Sequence, residues 1–183
     1  VAGLARRLQA LGVREGSKVA IWSSTRVEWC WIDMALLSLG AVTVGIYPTL
    51  TKDVILEQMA DAEVEMLIVE DEQQYIQWEE DFDELEDLVH VLTIDRGEEL
   101  VPLLAAEIDL DWYASQIEKL SADLLATIVF TSGSTGKSKG VELTHRNFLA
   151  NLADTSEALP LEGTIRSIVC LPLAHSLQRF VVY

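Results

Sequence analysis

Residues 127–141 read TIVFTSGSTGKSKGV. Thr127, Ile128, Val129 and Phe130 are β-branched or aromatic, the profile of a buried strand. The remainder is rich in glycine and hydroxyl groups and carries Lys137 and Lys139. A loop of this kind presents unblocked backbone N–H groups, O–H donors and positive charge in one place, which is what a polyphosphate requires. The rest of the chain reads as the sheet that holds this loop and the wall of the cavity it faces.

Upstream, apolar and polar stretches alternate in a β-α-β order. Val1, Leu4, Leu8 and Leu11 recur at helical spacing, and KVAIWS at 18–23 is a short strand. Residues 26–39 form a helix apolar almost all round, with Trp29, Ile32, Leu36 and Leu39 in one stripe. A continuous strand over 41–46 follows, as buried parallel strands do. Thr51 is placed to cap a helix over 52–60, with Val54, Leu56, Met59 and Ala60 on its apolar side, and EMLIV at 65–69 is a third strand. From Glu70 to Asp87 ten of eighteen residues are acidic, yet Tyr75, Trp78, Phe82, Leu85 and Leu88 keep a helical spacing, so a helix with a solvated charged face is expected. HVLTI at 90–94 is a fourth strand, 102–119 mixes turns and helix, and Asp123 rises into the central strand. Beyond the loop, Val141–Leu143 extends briefly, Thr144 caps a helix to about Ala158 with Phe148, Leu149, Leu152 and Ala153 on its face, and SIVCL at 167–171 reads as a last strand. The fold class is α/β, a mostly parallel layered sheet with flanking helices.

Composition limits the function. The net charge is −17, from 13 basic and 30 acidic residues, which disfavours nucleic acid and anionic membrane surfaces as partners. A local anion site stays open, because Lys and Arg are absent between Lys52 and Arg96 and return at the loop. Cys30 and Cys170 sit in apolar surroundings and read as buried reduced thiols, and no metal-spaced set of ligands exists. The apolar region 34–48 is too short to span a membrane.

The loop has two readings. A P-loop needs Gly-x-x-x-x-Gly-Lys-Ser/Thr with a helix opening at the lysine, so that its N-terminus faces the phosphates. Gly136, Lys137 and Ser138 fit, but Thr131 stands where the first glycine belongs and the helix cap comes only at Thr144. Read whole, TSGSTGKSKGV followed by LTHRN at 143–147 resembles the phosphate-binding signature of the AMP-forming adenylating enzymes, which include acyl-CoA synthetases, luciferases and peptide-synthetase adenylation domains. Thr131, Ser132, Gly133, Ser134, Thr135, Gly136, Lys139, Gly140 and Val141 match; Ser138 replaces the family's usual proline. Residues 26–50 resemble the family's first large helix and strand, and Gly45-Ile46-Tyr47-Pro48-Thr49 looks like the long-chain fatty acyl-CoA synthetases. LPLAHSLQR at 171–179 resembles a later segment, matching at Pro172, Leu173, His175 and Arg179, with Leu177 and Gln178 where long-chain members have Phe and Glu.

The resemblance covers the whole chain and implies the first part of a large N-terminal AMP-binding domain over residues 1–183. It implies ATP-dependent activation of a fatty acid through an acyl-adenylate, then transfer to coenzyme A, with Mg2+ as cofactor. It places Thr131, Ser132, Gly133, Ser134, Thr135, Gly136, Lys137 and Lys139 at the phosphates, Lys139 as the matched lysine, Lys137 as an auxiliary charge, and His175 in a positioning role beside the acyl and adenylate site. His145 reads as structural. The family's ribose-binding Asp, its magnesium-linked glutamate, its hinge and its C-terminal lysine are not found among these residues, so the chain is expected to be part of a longer protein and inactive alone. Alternatives are a fatty acyl-AMP ligase serving a carrier protein, an aryl or amino-acid adenylating enzyme, and a non-catalytic interaction module. A cytoplasmic location is expected, with peripheral contact at a membrane because long-chain acids partition into bilayers.

Overall fold

The computed structural model describes residues 1–95, 109–132, 137–158 and 168–182. The order is α1 (Ala2–Ala10), β1 (Lys18–Trp22), α2 (Val27–Ser38), β2 (Val42–Ile46), α3 (Lys52–Asp61), β3 (Met66–Val69), α4 (Glu72–Phe82), β4 (His90–Thr93), α5 (Leu110–Ile117), β5 (Leu125–Ser132), β6 (Ser138–Thr144), α6 (His145–Ala158) and α7 (Ser176–Val182). The strands form one six-stranded sheet in the order β4-β3-β1-β2-β5-β6. Every pairing is parallel except that of β5 with β6. The α/β class with a mostly parallel sheet is therefore the observed fold.

The sheet is covered on both faces because its strands are apolar on both. Along β1, Val19 and Ile21 enter a core with Ala5 and Leu8 of α1 and Trp29, Ile32 and Leu36 of α2. Their neighbours Ala20 and Trp22 enter a second core with Ile55 and Met59 of α3 and Phe82 of α4. The strand period of two thus divides one apolar run between two layers. The acidic segment does form a helix, α4, opened by Asp71, whose side chain accepts from the Gln74 amide at 2.7 Å.

Four local expectations are corrected. In α3 the buried positions are Ile55, Gln58 and Met59, while Val54 and Leu56 are half-buried and Ala60 is exposed. The helix is rotated toward β6, where Gln58 finds a hydrogen-bonding partner. The Thr51 side chain makes no cap hydrogen bond, although Thr51 does precede the first turn. The expected strand at 167–171 does not form over 168–171. There the Cys170 and Leu171 amides donate to Gln178 Oε1 at 3.1 and 2.9 Å instead of to a neighbouring strand. Cys170 is accordingly exposed, not buried, and Cys30 is half-buried; both are free thiols. No helix among the described residues is long and apolar enough to cross a membrane.

Candidate functional site

In a parallel sheet all the strand C-termini lie at one edge, where open α/β sheets bind ligands. β5 runs to that edge and returns as β6. The pair is in register from Val129↔Val141 through Phe130↔Gly140 and Thr131↔Lys139 to Ser132↔Ser138. Gly133, Ser134, Thr135 and Gly136 lie outside the described residues. The residues that flank the glycine-rich segment, Ser132 and Ser138, are thus paired at the C-terminal edge of the sheet. Gly140 is needed where the return strand crosses Ile128, because a Cβ there would lie 2.9 Å from Ile128 Cγ2.

The P-loop reading ends here, since seven residues of strand separate Lys137 from the next helix. α6 opens at His145 behind a reciprocal cap, in which the Asn147 amide donates to Thr144 Oγ1 at 3.3 Å and the Thr144 amide donates to Asn147 Oδ1 at 2.8 Å. The His145 and Arg146 amides donate to the Leu124 and Ala122 carbonyls, at the end of β5 opposite Ser132. The helix N-terminus therefore points away from the loop.

The two lysines differ. Lys137 Nζ is 3.2 Å from Glu57 Oε1 and 3.5 Å from Asp61 Oδ2, both on α3. These carboxylates raise its pKa, the hydrogen bond to Glu57 most of all. Lys139 is exposed on β6 and has no ion-pair partner among the described residues. Thr131, across the ladder, donates from Oγ1 to the Lys139 carbonyl at a long 3.5 Å. Alternation along β5 puts Thr131 on the same sheet face as Thr127.

That face also carries the segment with His175. Its chain crosses the sheet at Gly45, where an added Cβ would lie 2.8 Å from Ala174 Cα. Leu173 enters the core beneath α2. His175 is half-buried and precedes α7, where Nδ1 accepts from the Leu177 amide at 3.2 Å. Among the described residues no hydrogen bond or ion pair joins His175 to the hairpin. His175 and the β5–β6 stem share this edge and face of the sheet.

Beneath them lies a buried polar cluster that the sequence reading missed. Arg179 and Asp33 are both fully buried, with Nη1 3.5 Å from Asp33 Oδ2. Arg179 Nη2 donates to Thr127 Oγ1 at 2.9 Å, and that hydroxyl donates to the Thr43 carbonyl at 2.6 Å. The guanidinium also lies over the Trp29 ring at 5.5 Å and the Phe148 ring at 5.3 Å. Arg179 thereby joins α2, β5, α6 and α7. His145 is half-buried beside it; burial lowers its pKa, opposed by the Asp33 charge, and its Nε2 has no hydrogen-bond partner. The available signal was Asp33, a carboxylate in the middle of a mostly apolar helix.

No group of three or more His, Cys, Asp and Glu placed to hold a metal exists among the described residues.

Comparison with known proteins identifies the family and the fold. The sequence model of a family described as "AMP-binding enzyme" matches residues 1–183. A long-chain-fatty-acid–CoA ligase, FadD15, of Mycobacterium bovis is 33% identical over 180 residues, covering 95% of this chain and 30% of that protein. A 2-succinylbenzoate–CoA ligase of Bacillus cereus is 32% identical over 175 residues, covering 96% of this chain and 32% of that protein. The solved structure of a Mycobacterium tuberculosis fatty acyl CoA synthetase superposes with a TM-score of 0.83 at 23% identity, over 98% of this chain and 35% of that one. The chain thus spans about a third of the length of the curated relatives it matches.

Proposed function

Because the chain belongs to the family of AMP-binding enzymes, we propose that it supplies the phosphate-binding part of an AMP-forming acid–thiol ligase whose acid is a long-chain fatty acid. The observation that supports this reading is the β5–β6 stem at the C-terminal edge of the sheet, which brings Ser132 and Ser138 together, with exposed Lys139 on it and the His175 segment on the same face. In the first step a carboxylate oxygen attacks the α-phosphorus of ATP, the bond to the bridging oxygen breaks, and pyrophosphate leaves. In the second, a coenzyme A thiolate attacks the acyl carbon and AMP leaves. Negative charge grows on the phosphate oxygens in the first step. Donors already aimed at those oxygens stabilise that transition state. The hydroxyls of Ser132, Ser134 and Thr135, the amides of Gly133 and Gly136, and the Lys139 ammonium serve as those donors, with Lys137 as a further charge at the base of the loop. His175 positions the acyl-adenylate.

The long-chain reading rests on the Gly45–Thr49 stretch and the resemblance to the fatty-acid ligase. The comparable likeness to a 2-succinylbenzoate ligase favours an aryl acid as the second reading. The test is pyrophosphate release by the full-length protein carrying this sequence, with acetate, palmitate, benzoate and 2-succinylbenzoate, with and without coenzyme A. Palmitate-dependent release yielding palmitoyl-CoA, lost in Lys139→Ala/Ser134→Ala, is the expected result. Release with an aryl acid alone would establish the second reading. Adenylate formed without a coenzyme A thioester would make the acceptor a carrier protein, and ATP hydrolysis to ADP without any acid would overturn both.

A further inference from the structure

The return strand of the hairpin is fastened from the side by α3. Gln58 is only 4% exposed, unusual for an amide side chain. Its Nε2 donates to Ser138 Oγ at 3.2 Å, across 80 residues of sequence. Glu57 and Asp61, one turn apart on the same helix, hold the Lys137 ammonium. Two adjacent loop residues are therefore gripped by one stretch of α3. Ser138 is paired with Ser132 across the ladder, so the grip acts where the phosphate-binding segment begins and ends.

Position 138 is also where this chain departs from the signature it otherwise matches. A proline would restrain the strand from within, by fixing φ near −65°. Serine does not, and its hydroxyl instead reaches a buried partner on the neighbouring helix.

We propose that Gln58, assisted by Glu57 and Asp61, is a positioning residue for the phosphate loop, substituting a side-chain latch for the restraint a proline would give. This rests on the reading of the loop as the pyrophosphate site. A loop held in its binding geometry before ATP arrives spares the ordering cost that nucleotide binding would otherwise bear. The latch touches only the hairpin stem, so its effect belongs to ATP and not to the acid. It also occupies Lys137 with carboxylates, which leaves Lys139 as the cation directed to phosphate.

The test uses the full-length protein and four variants: Ser138→Ala, which removes only the hydroxyl; Gln58→Met, which keeps the volume; the two together; and Gln58→Met/Ser138→Pro. Two quantities are read, amide hydrogen exchange of the β5–β6 hairpin without nucleotide, and KM for ATP and for the acid separately. Loss of one net hydrogen bond corresponds to about fivefold in an equilibrium. Hairpin exchange and KM for ATP are each expected to rise about fivefold in either single variant, with KM for the acid unchanged. The Gln58→Met/Ser138→Ala variant should be no worse than the singles, because they break the same bond. The proline variant should return both readouts toward the starting values. Unchanged hairpin exchange in Ser138→Ala, additive losses in the double variant, or equal rises in both KM values would overturn the latch. Absence of pyrophosphate release from the unsubstituted protein would fail the reading of the loop, whereas the exchange measurement decides the anchorage by itself.

Discussion

Gly45 on β2 and Ala174 before α7 approach so closely that a Cβ on the glycine would stand 2.8 Å from the Ala174 Cα. The obstacle is backbone, so it cannot swing aside as a side-chain end would. Gly45→Ala is expected to lower the unfolding free energy by about 1–3 kcal/mol, the usual range for overpacking. It should also displace the His175 segment. Urea unfolding reads the first effect, and a loss of adenylate formation larger than the stability change explains reads the second.

Arg179 and Asp33 are fully buried together. Removing one member leaves the other's charge poorly compensated, whereas removing both leaves none. Arg179→Met is expected to destabilise by about 3–5 kcal/mol, and Asp33→Leu/Arg179→Met by clearly less. A double variant as unstable as the sum of the singles would show that the two do not act as a pair.

His145 has its pKa lowered by burial. The unfolded chain takes up a proton near pH 6.5 while the folded chain resists, so the unfolded state binds more protons just below that pH. The contribution of His145 is therefore intact above about pH 6.5 and is lost as pH falls toward the depressed folded value. His145→Gln should flatten that part of the stability profile measured by denaturant at stepped pH. A slope as steep as before would place the titration elsewhere.

Lys139 and Lys137 should separate in kinetics. Lys139→Ala is expected to lower kcat/KM for ATP by about a hundredfold or more, the scale for removing one donor to developing charge. Lys137→Ala should cost roughly tenfold or less, because its ammonium is engaged by Glu57 and Asp61. Equal losses would assign both lysines to phosphate.

The order of elements was legible where a single layer dictates the pattern. α2 and β2 announce themselves because nearly every position is apolar, and α6 because Thr144 caps it. Three things were not legible, each because a tertiary partner overrode a local signal. Ser138, Lys139 and Gly140 carry no strand signature, yet they form strand because β5 offers a free edge to pair with. SIVCL has every mark of a strand, but over 168–171 its amides are taken by Gln178. Gln58 carries no local sign of burial, and its partner Ser138 lies 80 positions away. The groups that hold the β6 strand could not be read from residue types, because they are distant in sequence.

The pairing of β2 with β5 has a kinetic consequence. β1 to β4 each meet a neighbour separated by one crossover, whereas Thr127 reaches Thr43 across 84 residues. Closing that span carries the larger entropic penalty, and contacts of high sequence separation slow folding. During synthesis the four-stranded half emerges first, with one side of β2 unpaired until the ribosome has released β5. The β5–β6 edge is thus the last part of the sheet to be assembled, and a nascent chain stalled before Leu125 would carry an exposed, apolar β2 edge open to mispairing or to a chaperone.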